Sequence, residues 1–167
     1  MKVALISDTH GYLDDKIKSN LIDVDEIWHA GDFGTKELVD ELKEIKSLRG
    51  VYGNIDGKEI RQEFPEDLFF EVEGLKIWMT HIGGYPPKYV PRVKKLIKEK
   101  SPDIFISGHS HILKVMRDPV IPTILHINPG AVGQQGFHKF RTMVTLELNK
   151  GKITDVKAIE LGFRGRG

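Results

Sequence analysis

The chain has 167 residues, 40% of them hydrophobic and 29% charged, with a formal net charge of +1. That length and mix suit a single domain spanning residues 1–167, with a full-sized core. The near-neutral balance gives no electrostatic footprint for nucleic acid or an anionic membrane. The absence of cysteine excludes disulfides and leaves any metal to nitrogen and oxygen ligands.

In chain order, KVALIS at 2–7 reads as a short buried strand. Its apolar run is far too short for a signal-peptide core or a membrane span, so a cytoplasmic protein with no membrane partner is expected. Leu13, Ile17 and Leu21 lie four apart, on one face of a helix. VDEIWHAGD is a second strand candidate that ends at Gly31-Asp32. Thr35 can cap the next helix, whose buried stripe is Leu38, Val39, Leu42 and Ile45. SLRGVYGN is a third strand candidate, ending at Gly53-Asn54. Strands alternating with helices predict a parallel sheet, with its ligand site beyond the carboxyl ends of the strands.

The second half changes style. LFFEVEGLKIWMTH reads as a hairpin turning at Glu73-Gly74, its second strand ending at His81. Val93, Leu96 and Ile97 mark a helix that Pro102 helps to stop. DIFISGHSH is a strand running into a loop that carries His109 and His111. ILKVMRD, TILHINPG, RTMVTLELN and ITDVKAIEL predict four more strands, NKGK the turn of a last hairpin, and FRGRG a frayed tail. Two sheets, each covered by helices on its outer face, is the economical arrangement.

Apolar runs thus end repeatedly in residues able to ligate a metal: Asp8, His10, Asp32, Asn54, His81, His109 and His111. Alone, D-x-H is usually a turn with a capping Asp, Gly-Asp and Gly-Asn are ordinary turns, and a lone His is a surface or core residue. Jointly, at strand ends in one small chain, they point to a metal centre. Two-metal hydrolases hold cations about 3.5–4 Å apart on a bridging group. A mixed N/O set suits Mn, Fe, Co, Ni or Zn and disfavours Ca and Mg. Residues two apart on an extended segment point the same way, so Asp8 and His10 are expected to face one ion, and His109 and His111 likewise unless the loop turns.

The ordered set SDTHG, GD, GN, a lone His after a strand, and GHSH resembles the metallophosphoesterase (calcineurin-like phosphoesterase) superfamily. The length, the hairpin and the NPG at 128–130 resemble its small single-domain, YfcE-type branch. The resemblance implies a four-layer α/β/β/α sandwich with two mixed β-sheets and a dinuclear metal site. It assigns Asp8, His10 and His111 to the first ion, Asp32 to both, and Asn54, His81 and His109 to the second, with Asp32, Asn54 and His81 as the catalytic set. It implies two divalent ions, manganese foremost, and a small phosphoester cleaved by in-line attack of a metal-bridging hydroxide, with a phosphodiester favoured. Ile55 stands where many relatives carry a His thought to protonate the leaving oxygen, and AVGQQG follows NPG where SVG and Pro-Arg are frequent. The competing readings are a protein-interaction scaffold of the same fold, a broad phosphomonoesterase, and a nuclease; no obligate nucleic acid is expected, and self-association stays open. His29 is read as structural, Asp56 as orienting a ligand or capping a turn, Trp28 and Trp78 as core, and Lys88, Arg92 and Arg141 as a solvated face. His126 and His138 carry no motif.

Overall fold

A computed structural model describes residues 1–165. Its first sheet contains β1 (Lys2–Ile6), β2 (Glu26–His29), β3 (Ser47–Gly50), β11 (Phe140–Asn149) and β12 (Lys152–Phe163) in the order β12-β11-β1-β2-β3. The second contains β4 (Asp67–Val72), β5 (Leu75–Thr80), β8 (Ile104–Ile106), β9 (Leu113–Arg117) and β10 (Leu125–Pro129) in the order β4-β5-β8-β10-β9. Each sheet is mixed. β1, β2 and β3 run parallel, as do β5, β8 and β10, while the hairpin partners run antiparallel.

The alternation along each strand sets the layers. One face of β1, Val3 and Leu5, packs with Ile77, Met79, Ile104, Ile106 and Ile127 of the opposite sheet. The other face, Ala4 and Ile6, packs under α1 (Asp15–Leu21), α2 (Lys36–Ile45) and α3 (Lys58–Glu63). Trp78 and Phe105 point outward from the second sheet onto Val93 and Ile97 of α4 (Pro91–Lys100). The result is the expected four-layer α/β/β/α sandwich. Trp28 and Trp78 are both fully buried, each contributing on the order of 2–3 kcal/mol of apolar burial.

Local differences from the sequence reading have identifiable causes. α1 starts two residues beyond Leu13, because the Asp14 carboxylate caps it by accepting from Ile17 N; Leu13 still packs on the outer cluster. α3 and a two-residue hairpin, β6 (Gly84–Tyr85) with β7 (Lys88–Tyr89), were not expected. α3 is six residues long, and Ile60 is its one buried residue, too little for a periodic stripe. Of the tail, Phe163 belongs to β12 and Arg164 N donates to the Lys139 carbonyl; residues 166–167 lie outside the described residues. Arg141 is the clearest correction. It is buried, not solvated, donating to the carbonyls of Phe163, Val132 and Leu161 and pairing with Asp14 at 3.0 Å.

His126 is fully buried on the second sheet against Tyr85 and Phe105. Neither ring nitrogen completes a hydrogen bond among the described residues. Burial, only partly opposed by the Phe105 backbone, pushes its pKa down to about 4. The nearby Asp118 carboxylate is already engaged by the Tyr89 hydroxyl and the Val120 and Ile121 N–H groups. The unfolded chain therefore takes up this proton near pH 6.5 and the folded chain does not until about pH 4. Stability should fall with decreasing pH across that window, by on the order of 3 kcal/mol from this group. Urea midpoints measured from pH 7 to pH 4 should decline less steeply for His126→Leu than for the parent; parallel declines would contradict this.

Candidate metal centre

The parallel strands deliver their carboxyl ends to one edge of the sandwich. Asp8 follows β1, Asp32 follows β2, Asn54 follows β3, His81 follows β5, and His109 and His111 follow β8. Backbone hydrogen bonds tie these loops together: Asp8 N to Gly31 O at 3.0 Å, His10 N to Asp32 O at 3.1 Å, and Gly108 N to His81 O at 2.9 Å. All seven residues singled out by the sequence meet there, in two groups of close ligand atoms, Asp8–His10–His111 and Asp32–His81–His109. Asn54 Oδ1 joins the second group, 3.1 Å from His81 Nε2 and 3.0 Å from His109 Nδ1.

The route to this geometry is not the extended one. Asp8, His10, Asp32, His109 and His111 have φ of 55°, 46°, 59°, 70° and 63°. This left-handed backbone costs a non-glycine residue roughly 1 kcal/mol or more. Asp8 and His10 converge because the chain turns at each of them, and the same turning sends His109 and His111 to different groups. Gly31 is required by close approach: a Cβ there would lie 2.6 Å from His81 Nδ1.

Hydrogen counting shows which charge the centre favours. Asp8 Oδ2 accepts from the Ser7 hydroxyl at 2.6 Å and from His109 N at 3.2 Å, leaving Oδ1 facing inward. Asp32 Oδ1 accepts from Ile55 N at 3.0 Å, leaving Oδ2 facing inward. His81 Nδ1 lies 2.7 Å from the Ala30 carbonyl, which can only accept, so Nδ1 carries the hydrogen. In the neutral ring the bare His81 Nε2 then faces Asp32 Oδ2 at 3.2 Å and Asp8 Oδ1 at 3.8 Å. His10 Nε2 is buried without a hydrogen-bond partner among the described residues, 3.5 Å from Asp32 Oδ2. Acceptors thus face acceptors, and a positive charge between them resolves the conflict.

The electrostatics likewise favour positive charge between these groups. Burial alone would raise Asp8, but its contacts with the His10, His111 and His81 imidazoles reverse it and hold the carboxyl well below its usual range. Burial likewise opposes ionisation of Asp32, and the His81 contact overcomes it. The Asp8 contact raises His10; His81 rises as well, its carboxylate neighbours outweighing burial. A donor set of imidazole, carboxylate and amide oxygen fits divalent transition metals.

The domain model described as calcineurin-like phosphoesterase superfamily domain matches residues 1–151. The chain belongs to that superfamily, a group of metal-dependent phosphoesterases. It is 32% identical over 164 residues to a probable metallophosphoesterase of Mycoplasma pneumoniae, covering 93% of this chain and 94% of the relative. It is 30% identical over 146 residues to a phosphodiesterase of Methanocaldococcus jannaschii, covering 78% of this chain and 83% of that one. The crystal structure of wild-type Vps29 complexed with zinc, from Entamoeba histolytica, superposes with a TM-score of 0.75 over 97% of this chain and all of that one, at 19% identity; that likeness concerns the fold alone.

Around the ligand groups, His29 is fully buried, stacked on Phe33, and accepts from Gly31 N on Nδ1 while its other nitrogen meets the Thr9 hydroxyl at 2.9 Å. Burial pushes its pKa down to about 3. It buttresses the loops, and among the described residues it makes no hydrogen bond to any of the seven. Arg92 is partly exposed, and its guanidinium is held rather than free. It is bound to Asp67 at 2.6 Å and Thr80 at 2.8 Å, and lines a cavity of about 210 Å³ with Arg61, Asn54 and His81. Lys88 is exposed as expected. His138, unmarked by any motif, stands 3.1 Å from His111. Nothing local in the sequence signals it, because the loop joins the centre only through the fold.

Asp56 does neither of the two things its position suggested. Its carboxylate accepts from Phe33 N at 3.2 Å, Gly34 N at 2.9 Å and Gly53 N at 2.8 Å, stapling the Asp32 loop to the Asn54 loop. Removing it leaves three buried or part-buried donors without their acceptor. Asp56→Ala should lower the unfolding free energy by about 2–4 kcal/mol, read by urea denaturation of the metal-free protein; a loss within about 0.5 kcal/mol would deny the staple.

Proposed function

We propose that the protein is a dinuclear-metal phosphodiesterase acting on small phosphoesters. The observation that carries the reading is the pair of ligand groups whose inward carboxylate oxygens face bare imidazole nitrogens. Asp8, His10 and His111 would hold one divalent ion, and Asn54, His81 and His109 the other. Asp32 would serve both, since its Oδ2 lies 3.5 Å from His10 Nε2 and 3.2 Å from His81 Nε2. The donor set suits Mn, Ni, Fe, Co or Zn, and the likeness to the superfamily puts manganese first. Bound there, the cations would supply Lewis-acid activation of water and of the phosphoryl oxygens.

The chain's own residues define the rest. The Ser7 hydroxyl and the His109 N–H hold Asp8, and the Ile55 N–H holds Asp32, so both inward oxygens are pre-aimed. Asn54 and His109 are exposed while Asp8, Asp32 and His81 are buried, so a phosphoester would approach from the Asn54 side. Ile55 is exposed there, and its aliphatic side chain offers the leaving oxygen no proton. General acid catalysis is typically worth about 10²–10⁴-fold, so esters with activated leaving groups are the favoured substrates. The phosphodiesterase named among the relatives supports a diester as substrate.

The metal-reconstituted protein should cleave an aryl phosphodiester, and alkyl monoesters more slowly. Asp32→Ala and His81→Ala should each reduce metal-stimulated turnover by at least about 10²-fold. Undiminished activity in either variant would refute the assignment. Stoichiometric metal with no turnover on aryl diesters, aryl monoesters or 2′,3′- and 3′,5′-cyclic nucleotides would favour a non-catalytic binding protein of the same fold.

A further inference from the structure

The first ligand group is built one residue deeper than the seven. His138 lies in the glycine-containing loop between β10 and β11. Its Nε2 is 2.9 Å from the Gly133 carbonyl oxygen. A carbonyl only accepts, so Nε2 carries hydrogen, and in the neutral ring Nδ1 is bare. That bare nitrogen faces His111 Nδ1 at 3.1 Å. One hydrogen must lie between the two nitrogens, and His111 is the ring that supplies it. His111 Nε2 is then left bare and points at Asp8 Oδ1, 3.1 Å away. The two rings meet edge to face with centroids 4.9 Å apart.

The contact is closed by backbone. Gly136 has φ +129°, and a Cβ there would lie 2.2 Å from His111 Nδ1 and 3.1 Å from His138 Nδ1. The chain therefore passes directly over the pair, where any side chain would collide with it. Of the ligand imidazoles, His81 has its hydrogen fixed by the Ala30 carbonyl, and His111 has its hydrogen fixed by the His138 ring.

We propose that His138 is a positioning residue for the first ion: it holds His111 as the Nδ1–H tautomer and aims Nε2 at the cation position beside Asp8. This rests on the metal reading above. An imidazole ligand without its outer partner pays twice, losing both its orientation and its correct tautomer. Such partners typically change metal affinity by about 10–100-fold.

The test is equilibrium titration of the metal-free full-length chain with Mn²⁺ for the parent, His138→Phe and His138→Asn. Thermal unfolding of the metal-free forms serves as the check on folding. Phe keeps the ring volume and removes the acceptor; Asn places an amide oxygen where Nδ1 sits. The parent should bind two ions. His138→Phe should weaken one of them about 10–100-fold and leave the other unchanged, and His138→Asn should recover most of the loss. Two ions bound at parental affinity by His138→Phe would overturn the positioning role while leaving the metal reading intact. Equal weakening of both ions, or equal losses in the Phe and Asn variants, would show a merely structural residue and also overturn it. Absence of any bound ion in the parent would overturn the metal reading and this proposal together.

Discussion

Like-signed lone pairs meet at the centre of this fold. Asp8 Oδ1 and Asp32 Oδ2 face imidazole nitrogens whose hydrogens are committed elsewhere, within 3.1–3.8 Å. In a buried setting that arrangement is unfavourable without a cation, since unpaired charge and unmatched acceptors are costly away from water. Much of the surrounding architecture makes sense as support for it. Two sets of parallel strands end at the same edge, Asp56 and His29 brace the loops from behind, and each carboxylate has its outer oxygen held by a protein donor. Five left-handed non-glycine residues among the seven are strain that the sandwich must offset through its three apolar clusters.

Much of this was legible in the sequence. β1, β2, β5 and β8 are short, largely apolar runs, and each of them, like the more polar β3, is followed within four residues by a type that binds metals, so strand prediction and site prediction reinforce each other. The order of the motifs then carried the superfamily. What misled was the assumption of extended backbone at Asp8-Thr9-His10: the proximity is real, but it arises from turns at Asp8 and His10, which no periodicity encodes. Arg141 was misread because arginine is ordinarily exposed. A register shift between Arg141 and Thr142 interrupts the ladder, and the guanidinium fills the gap by taking three carbonyls. α3 and the contact of His138 with His111 depend on tertiary placement, so local sequence carries little trace of them.

The departures from the common pattern gather on two sides of the centre. Ile55 lies at the exposed rim by Asn54, contributing its N–H to Asp32 and an apolar side chain to the approach. On the opposite side, the residues after NPG bring Gly136 and His138 against His111. A site poor in proton donors at one rim and reinforced behind the first ligand group suits chemistry in which the metals carry the activation and the leaving group departs unaided.

The central claim is that the acceptor-lined centre is a two-cation site. Anomalous diffraction from crystals grown with Mn²⁺ tests it most directly. The account predicts two peaks about 3.5–4 Å apart, one bounded by Asp8, His10 and His111 and the other by Asn54, His81 and His109, with Asp32 between them. A centre without anomalous signal, or a single ion bound by other residues, would contradict it.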